Sequence, residues 1–156
     1  MGEDERLSAV ADELGLLLDE LRSLRANASV GIHRKCIANL YYAAFHTVRA
    51  LLLSHGLEAK THEGVQRLFA AHFVKPGAFD RSHLKTLGQL EADRLRADYQ
   101  GFHQFEAEDV TRARPPVLDL VRAGLDYLEV QVPEVAGAIA SRIRGELDQD
   151  GAIGAS

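Results

Sequence analysis

Cysteine is almost missing from this chain. Cys36 stands alone, so no internal disulfide can form and a reducing compartment is expected. Long apolar runs are missing too: stretches such as residues 51–53 fall far short of the roughly 20 residues that span a bilayer. The opening MGEDERLSAVADE is charged from the start, unlike a secretory leader. A cytoplasmic protein is the expectation. Nor is there an excess of positive charge. The net charge of −5 excludes a generic nucleic-acid coat, which needs a basic surface to displace counterions, but it leaves room for a small basic cleft. Neither a phosphate-binding glycine loop nor a dinucleotide fingerprint occurs. No paired metal-ligand spacing supports a site built from His46 and His62. No cofactor and no metal are therefore expected.

What is present is an ordinary soluble composition, 46% hydrophobic and 26% charged over 156 residues, enough to bury one core without staples. Strand-like alternation and internal repeats are lacking, whereas apolar residues recur at spacings of three and four. The expected fold is all-α, an antiparallel bundle of four to five helices. Residues 1–147 would form a single domain and 148–156 a flexible tail.

The first helix is expected over residues 3–25, with Leu7, Val10, Leu14, Leu17, Leu21 and Leu24 as its stripe. A second runs from near Gly31 to a stop at Gly56. Thr61 can cap a third, which packs through Val65, Leu68, Phe69 and Phe73 and ends at Pro76-Gly77. A fourth starts at Asp80 or Ser82 and turns Leu84, Leu87, Leu90 and Leu95 inward. Residues 100–104 read as a loop. A last long helix carries Val110, Val117, Val121, Leu125 and Leu128, and Pro115-Pro116 should kink it or reset its start. A weaker amphipathic segment follows over residues 134–147.

The second helix is the organising one. At about 100° per residue, Ile37, Leu40, Tyr41, Ala44, Phe45, Val48, Leu51 and Leu52 share one arc. Lys35, Asn39, Tyr42, His46 and Arg49 line the opposite side, which suggests a flank along a cleft or a partner. The fourth helix holds charges in an unexpected place: Glu91, Arg94 and Asp98 project into its apolar arc, while Arg96 projects outward. An inward guanidinium must be paired, and Asp98 and Glu91 are in reach on the same helix. Two readings stand. The charges form a structural ion-pair network, or Arg94 holds a phosphate or other anion, helped by Tyr99, His46 and Arg49. Of the histidines, His33, His55, His72 and His83 read as surface or cap residues, and capping accounts for His62.

Three blocks, YYAAFHTVRALL (41–52), KTHEGVQRLFAAHFVKPG (60–77) and RLRADY (94–99), together resemble the HEPN family. The likeness is to its branch of small stand-alone bacterial and archaeal proteins with an Arg-x-x-Ala-Asp-Tyr motif, and it covers roughly residues 30–131. The resemblance implies a helical bundle that pairs into a homodimer. It also implies work beside a minimal nucleotidyltransferase in toxin–antitoxin or defence systems. Active members are metal-independent RNases with an Arg, four to six residues, and a His. In such a pair His moves a proton and Arg stabilises the phosphorane charge.

By count, Arg96 and His103 satisfy that spacing. By facing and by motif, the matching arginine is Arg94, whose allowed histidine positions hold Tyr99, Gln100 and Gly101. The expected catalytic set is Arg94 for phosphate, Asp98 to orient it and Tyr99 to stack or hydrogen-bond, with His103 and Arg96 conditional. The expected binding set is Tyr42, His46, Arg49, Lys60 and His62, and the ligand is RNA or a nucleotide. The rival function is a non-catalytic module that docks the nucleotidyltransferase.

Overall fold

The computed structural model describes residues 1–99, 101 and 104–154, with side chains described as far as Gln149. Every regular element among them is helical: α1 (Glu3–Ser29), α2 (His33–Ser54), α3 (His62–Phe69) with a π-helical turn (Ala70–Val74), α4 (Arg81–Tyr99), α5 (Ala107–Gln131) and α6 (Pro133–Gly154).

α2 is the hub, packed by α1, α3, α4 and α5. Its expected arc is buried at Ile37, Leu40, Tyr41, Ala44, Val48, Leu51 and Leu52, and burial extends round to Ala43, Thr47 and Ala50. By length and composition this helix would pass as a membrane span, but two thirds of its apolar window is covered by the rest of the bundle. A helix apolar nearly all round is the buried centre of its bundle. It ends where Gly56 takes a φ of 70° and Leu57 N–H returns to Leu52 carbonyl at 2.9 Å, a left-handed terminator that a Cβ would strain.

Part of the polar flank of α2, at Asn39, His46 and Arg49, is laid against α1 in an antiparallel ladder, while Tyr42 meets Arg94 of α4. Asn27 Nδ2 donates to Asn39 Oδ1 at 2.8 Å, Asn39 Nδ2 donates to Glu20 Oε2 at 2.8 Å, and His46 Nδ1 meets Glu13 Oε2 at 2.7 Å. Arg6 closes the far end on the Ser54 carbonyl. The reason is visible in α1, where Glu13, Glu20 and Asn27 recur every seven residues beside the leucine stripe and so form a polar edge to the same face.

On α4 the buried line is Leu87, Leu90, Arg94 and Ala97. Leu95, expected inward, is 42% exposed. The helix is rotated so that the 87–90–94–97 ridge meets α2, which puts position 95 about 100° off the ridge. α5 runs as one helix with Pro115 and Pro116 inside it. Its start is a capping box: Glu106 N–H donates to Asp109 Oδ2 at 2.8 Å, and the Glu106 side chain accepts in return. α6 packs on α1 and α5 through Ala136, Ala140, Ile143 and Leu147, and it stays helical to Gly154, through the stretch expected as a tail.

Candidate functional site

Arg94 is where sequence and structure meet. It is 7% exposed, because its place on the buried ridge aims it at α2. Its guanidinium carbon lies 5.1 Å from the Tyr41 ring centroid and 5.8 Å from that of Tyr42, a double cation–π contact. Nη1 donates to Asp98 Oδ2 at 2.8 Å, four residues on, as the helix spacing allows. Burial alone would lower the Arg94 pKa, but the charge interaction with Tyr42, the Asp98 hydrogen bond and the charge interactions with Tyr41 and Asp98 outweigh it and hold the value above its usual range. Nε is enclosed and has no hydrogen-bond partner among the described residues.

The tyrosines that cover Arg94 belong to one aromatic cluster on α2. Tyr41 stacks on Phe45 at 5.7 Å and meets Tyr42 edge-on at 5.0 Å. His62 joins from α3, its ring 4.8 Å from Phe45 and its Nδ1 against the Tyr41 hydroxyl. Thr61 is the cap that sets this turn, accepting from Gly64 N–H at 2.9 Å. Thus His62 is more than a helix-start residue, and the capping role belongs to its neighbour. Burial, then the nearby Glu91 carboxylate, pushes the Tyr41 hydroxyl well above the ordinary tyrosine range, although Arg94 pulls the other way. Tyr41 therefore keeps its proton. Glu91 itself is tied to Gln66 of α3.

His46 lies at the rim, stacked on Tyr42 at 6.1 Å, but its hydrogen bond goes to Glu13. Arg49 meets the same carboxylate at 3.4 Å. Glu13, with a side chain 8% exposed, was not singled out from the sequence. The available signal was its place on the edge of the α1 stripe, one turn from Val10 and Leu17. Lys60 is exposed beside the Thr61 turn. Tyr99, expected at the site, is 77% exposed and makes none of the cluster's ring contacts. His103 lies outside the described residues.

Arg96 faces elsewhere, as its projection requires. Its side chain is 43% exposed and pairs with Asp93. It lines a groove of about 670 Å³ between α4 and α5, together with Lys85, Leu90, Phe105 and Arg112. A shallower depression of about 850 Å³ lies by the π turn, lined by Arg67, Lys75 and Arg81. Arg94 lines neither. The structure thus separates the two arginines that the Arg-to-His spacing leaves in competition: one is in the helix interface against α2, the other in an open groove against α5.

Comparison with known proteins bears on both. The HEPN domain model matches residues 18–123, from mid-α1 through most of α5. A UPF0332 protein of Pyrococcus horikoshii is 37% identical over 75 residues, covering 48% of this chain and 53% of that protein. A Methanocaldococcus jannaschii protein named as a candidate toxin is 35% identical over 68 residues, 44% of this chain and 51% of that one. A UPF0332 protein of Thermotoga maritima is 33% identical over 93 residues, 60% of this chain and 68% of that one. The chain spans about half the length of the first two and two thirds of the third. The helical bundle, the tyrosine-rich α2 packed by the Arg94 ridge of α4, and a model match over most of the chain lead to one conclusion: this chain belongs to the HEPN domain family.

Proposed function

We propose that this protein is a toxin-type HEPN protein that acts on RNA, holding a phosphodiester through Arg94 and cleaving it without a metal ion. One observation carries the reading. A guanidinium 7% exposed, set against two tyrosine rings and one carboxylate, keeps an enclosed Nε–H with no acceptor among the described residues. Leaving such a donor buried and unpaired costs about 1–3 kcal/mol, and the planar fork of arginine suits phosphate oxygens. Two relatives named as candidate toxins support the toxic activity. The chemistry needs no cofactor. A ribose 2′-hydroxyl gives up its proton and attacks the adjacent phosphorus. The 5′ oxygen leaves and takes a proton up, and the products are a 2′,3′-cyclic phosphate and a 5′-hydroxyl. His103 is the group proposed to move the proton, and Arg94 stabilises the crowded equatorial charge. The family resemblance supports a homodimer and a nucleotidyltransferase partner, and both belong to the proposal.

The test is cleavage of single-stranded RNA in EDTA by wild type, Arg94→Ala, Arg96→Ala and His103→Ala. Arg94→Ala should slow cleavage by about 10²- to 10³-fold, the loss associated with one donor to a developing oxyanion, while Arg96→Ala cuts at the wild-type rate. A wild-type protein that cuts nothing and is harmless on expression rejects the RNase reading. Loss with Arg96→Ala but not Arg94→Ala moves the site to the α4–α5 groove.

A second reading, a non-catalytic module docking a minimal nucleotidyltransferase, is favoured by a different observation. Asp98 and the tyrosines already engage Arg94, and neither the α4–α5 groove nor the depression by the π turn reaches it. On that reading the cluster fixes α4 against α2. It predicts a stable complex with the transferase, no cleavage, and a lower melting temperature for Arg94→Ala.

A further inference from the structure

Arg67, Lys75 and Arg81 share the shallow depression beside the π turn. All three are exposed, and among the described residues none of them makes an ion pair. Exposed arginines elsewhere differ: Arg112 is tied to Glu108 and Asp109, and Arg144 to Asp126 and Glu129. The acid on the rim, Asp80, is engaged as a cap, accepting from Ser82 N–H at 3.3 Å. A chain of net charge −5 thus gathers three unmatched positive charges in one concavity of about 850 Å³.

The backbone puts them there. A π turn holds one more residue than an α turn, so it winds less per residue. In an unbroken α-helix the side chains of residues 67 and 75 would point about 80° apart. The π turn over Ala70–Val74, closed by Lys75 N–H on the Ala70 carbonyl at 2.8 Å, removes much of that difference and swings Lys75 over the face that carries Arg67. Gly77, with a φ of 92°, then reverses the chain, and Phe79 N–H donates to the Phe73 carbonyl at 3.0 Å. The Phe79 ring closes the floor against Phe69 and Phe73, and Arg81, two residues on, reaches the same depression.

We propose that this depression holds the phosphate backbone of single-stranded RNA at a site separate from Arg94. It lies about 20 Å along α4 from Arg94, and Arg81 and Arg94 point about 140° apart around that helix, so the two sites hold different phosphates. Planar guanidiniums match phosphate oxygens. Among the described residues the aromatic ring that lines the depression is Phe79, and it is 6% exposed. That leaves no face for a base to stack on and no anchor of the kind that organises a protein interface. The contacts position the strand and read no sequence. Free nucleotides carry the same phosphate chemistry, but small-ligand sites enclose most of their ligand and this one is open, which favours the strand. The choice of RNA rests on the function proposed above; the three unmatched cations do not.

The experiment measures binding of a fluorescent single-stranded RNA, 2′-O-methylated to prevent cleavage, at several salt concentrations. The proteins are wild type, Arg94→Ala, a depression variant (Arg67→Ala, Lys75→Ala and Arg81→Ala together) and a charge-matched control (Lys35→Ala, Lys85→Ala and Arg142→Ala together). Melting curves accompany each. One single-strand phosphate contact adds about 0.7 to the slope of log affinity against log salt, so losing three should flatten the slope by about 2. Each lost contact should also weaken binding by about 3- to 10-fold at low salt. The control should keep the wild-type slope. Competition by a nucleoside triphosphate and by poly-glutamate, run on Arg94→Ala, should displace the strand only weakly.

A wild-type slope in the depression variant, alongside a loss in Arg94→Ala, overturns this proposal and leaves the reading of Arg94 standing. A flattened slope in the depression variant with Arg94→Ala unchanged supports this site and rejects the reading of Arg94. Equal flattening in the control overturns the proposal, because the strand then follows the overall field. Displacement by the triphosphate at the strand's own concentration assigns the depression to a nucleotide, and displacement by poly-glutamate assigns it to an acidic protein; either rejects the RNA site. No RNA binding by the wild type rejects the function proposed above and this site with it.

Discussion

Tyr41 ties three helices together at one point. It fills the core, covers a guanidinium and bridges α2 to both α3 and α4. Its ionisation should be visible in stability. In the unfolded chain it ionises near the ordinary tyrosine value, about 10; in the folded protein it does so only at higher pH. The folded pKa lies above the unfolded one, so the contribution is fully present below pH about 10 and is lost as pH rises through the folded value. Tyr127, also raised by burial, acts in the same direction. Chemical denaturation at neutral and strongly alkaline pH should show stability falling above pH about 10, with a shallower fall in Tyr41→Phe. At Arg94, the conservative change to Lys should weaken RNA binding nearly as much as Ala, because a point charge lacks the planar fork and stacks poorly on two rings.

Between elements, the decisive contacts are small. A Cβ built on Gly124 of α5 would lie 2.4 Å from Thr47 Cγ2 on α2, so the two backbones approach closely there. Gly124→Ala should destabilise by about 1–3 kcal/mol, and Thr47→Ser, which removes that methyl, should restore part of the loss when the two are combined. Thr61→Ala should cost about 1 kcal/mol as a lost cap, which a lower melting temperature would report.

Much of this was readable beforehand, and the reasons are specific. Thr61 capping and the inward turn of Arg94 follow from spacing along one helix. The α1–α2 ladder does not, since periodicity identifies a polar flank without saying which element covers it, and Asn39 and His46 found Asn27, Glu20 and Glu13 instead of a cleft. Leu95 shows the same limit from another side. Four leucines do not define an arc when a buried arginine and a small alanine share the ridge. Tyr99, next to Asp98 in the Arg-x-x-Ala-Asp-Tyr motif, is exposed because position 99 falls off the 87–90–94–97 ridge.

For the molecule as a whole, the family match ends at residue 123, yet α6 completes the core. Arg144 bridges to Asp126 and Glu129 of α5 at 2.7 Å each, and Arg25 of α1 reaches Glu146 at 3.2 Å. Ile143 and Leu147 are fully covered. Burial of two such side chains and two alanines contributes about 5 kcal/mol, comparable with the whole stability of a small domain. Truncation after Val132 should therefore abolish a cooperative melting transition, as followed by circular dichroism.

The most direct measurement is a crystal structure of the protein with a single-stranded RNA made uncleavable by 2′-deoxy substitution. The account predicts a phosphate within hydrogen-bonding distance of the Arg94 guanidinium, at the contact of α4 with α2. A phosphate seated instead on Arg96 in the α4–α5 groove, with Arg94 unchanged against Asp98 and the tyrosines, would contradict it.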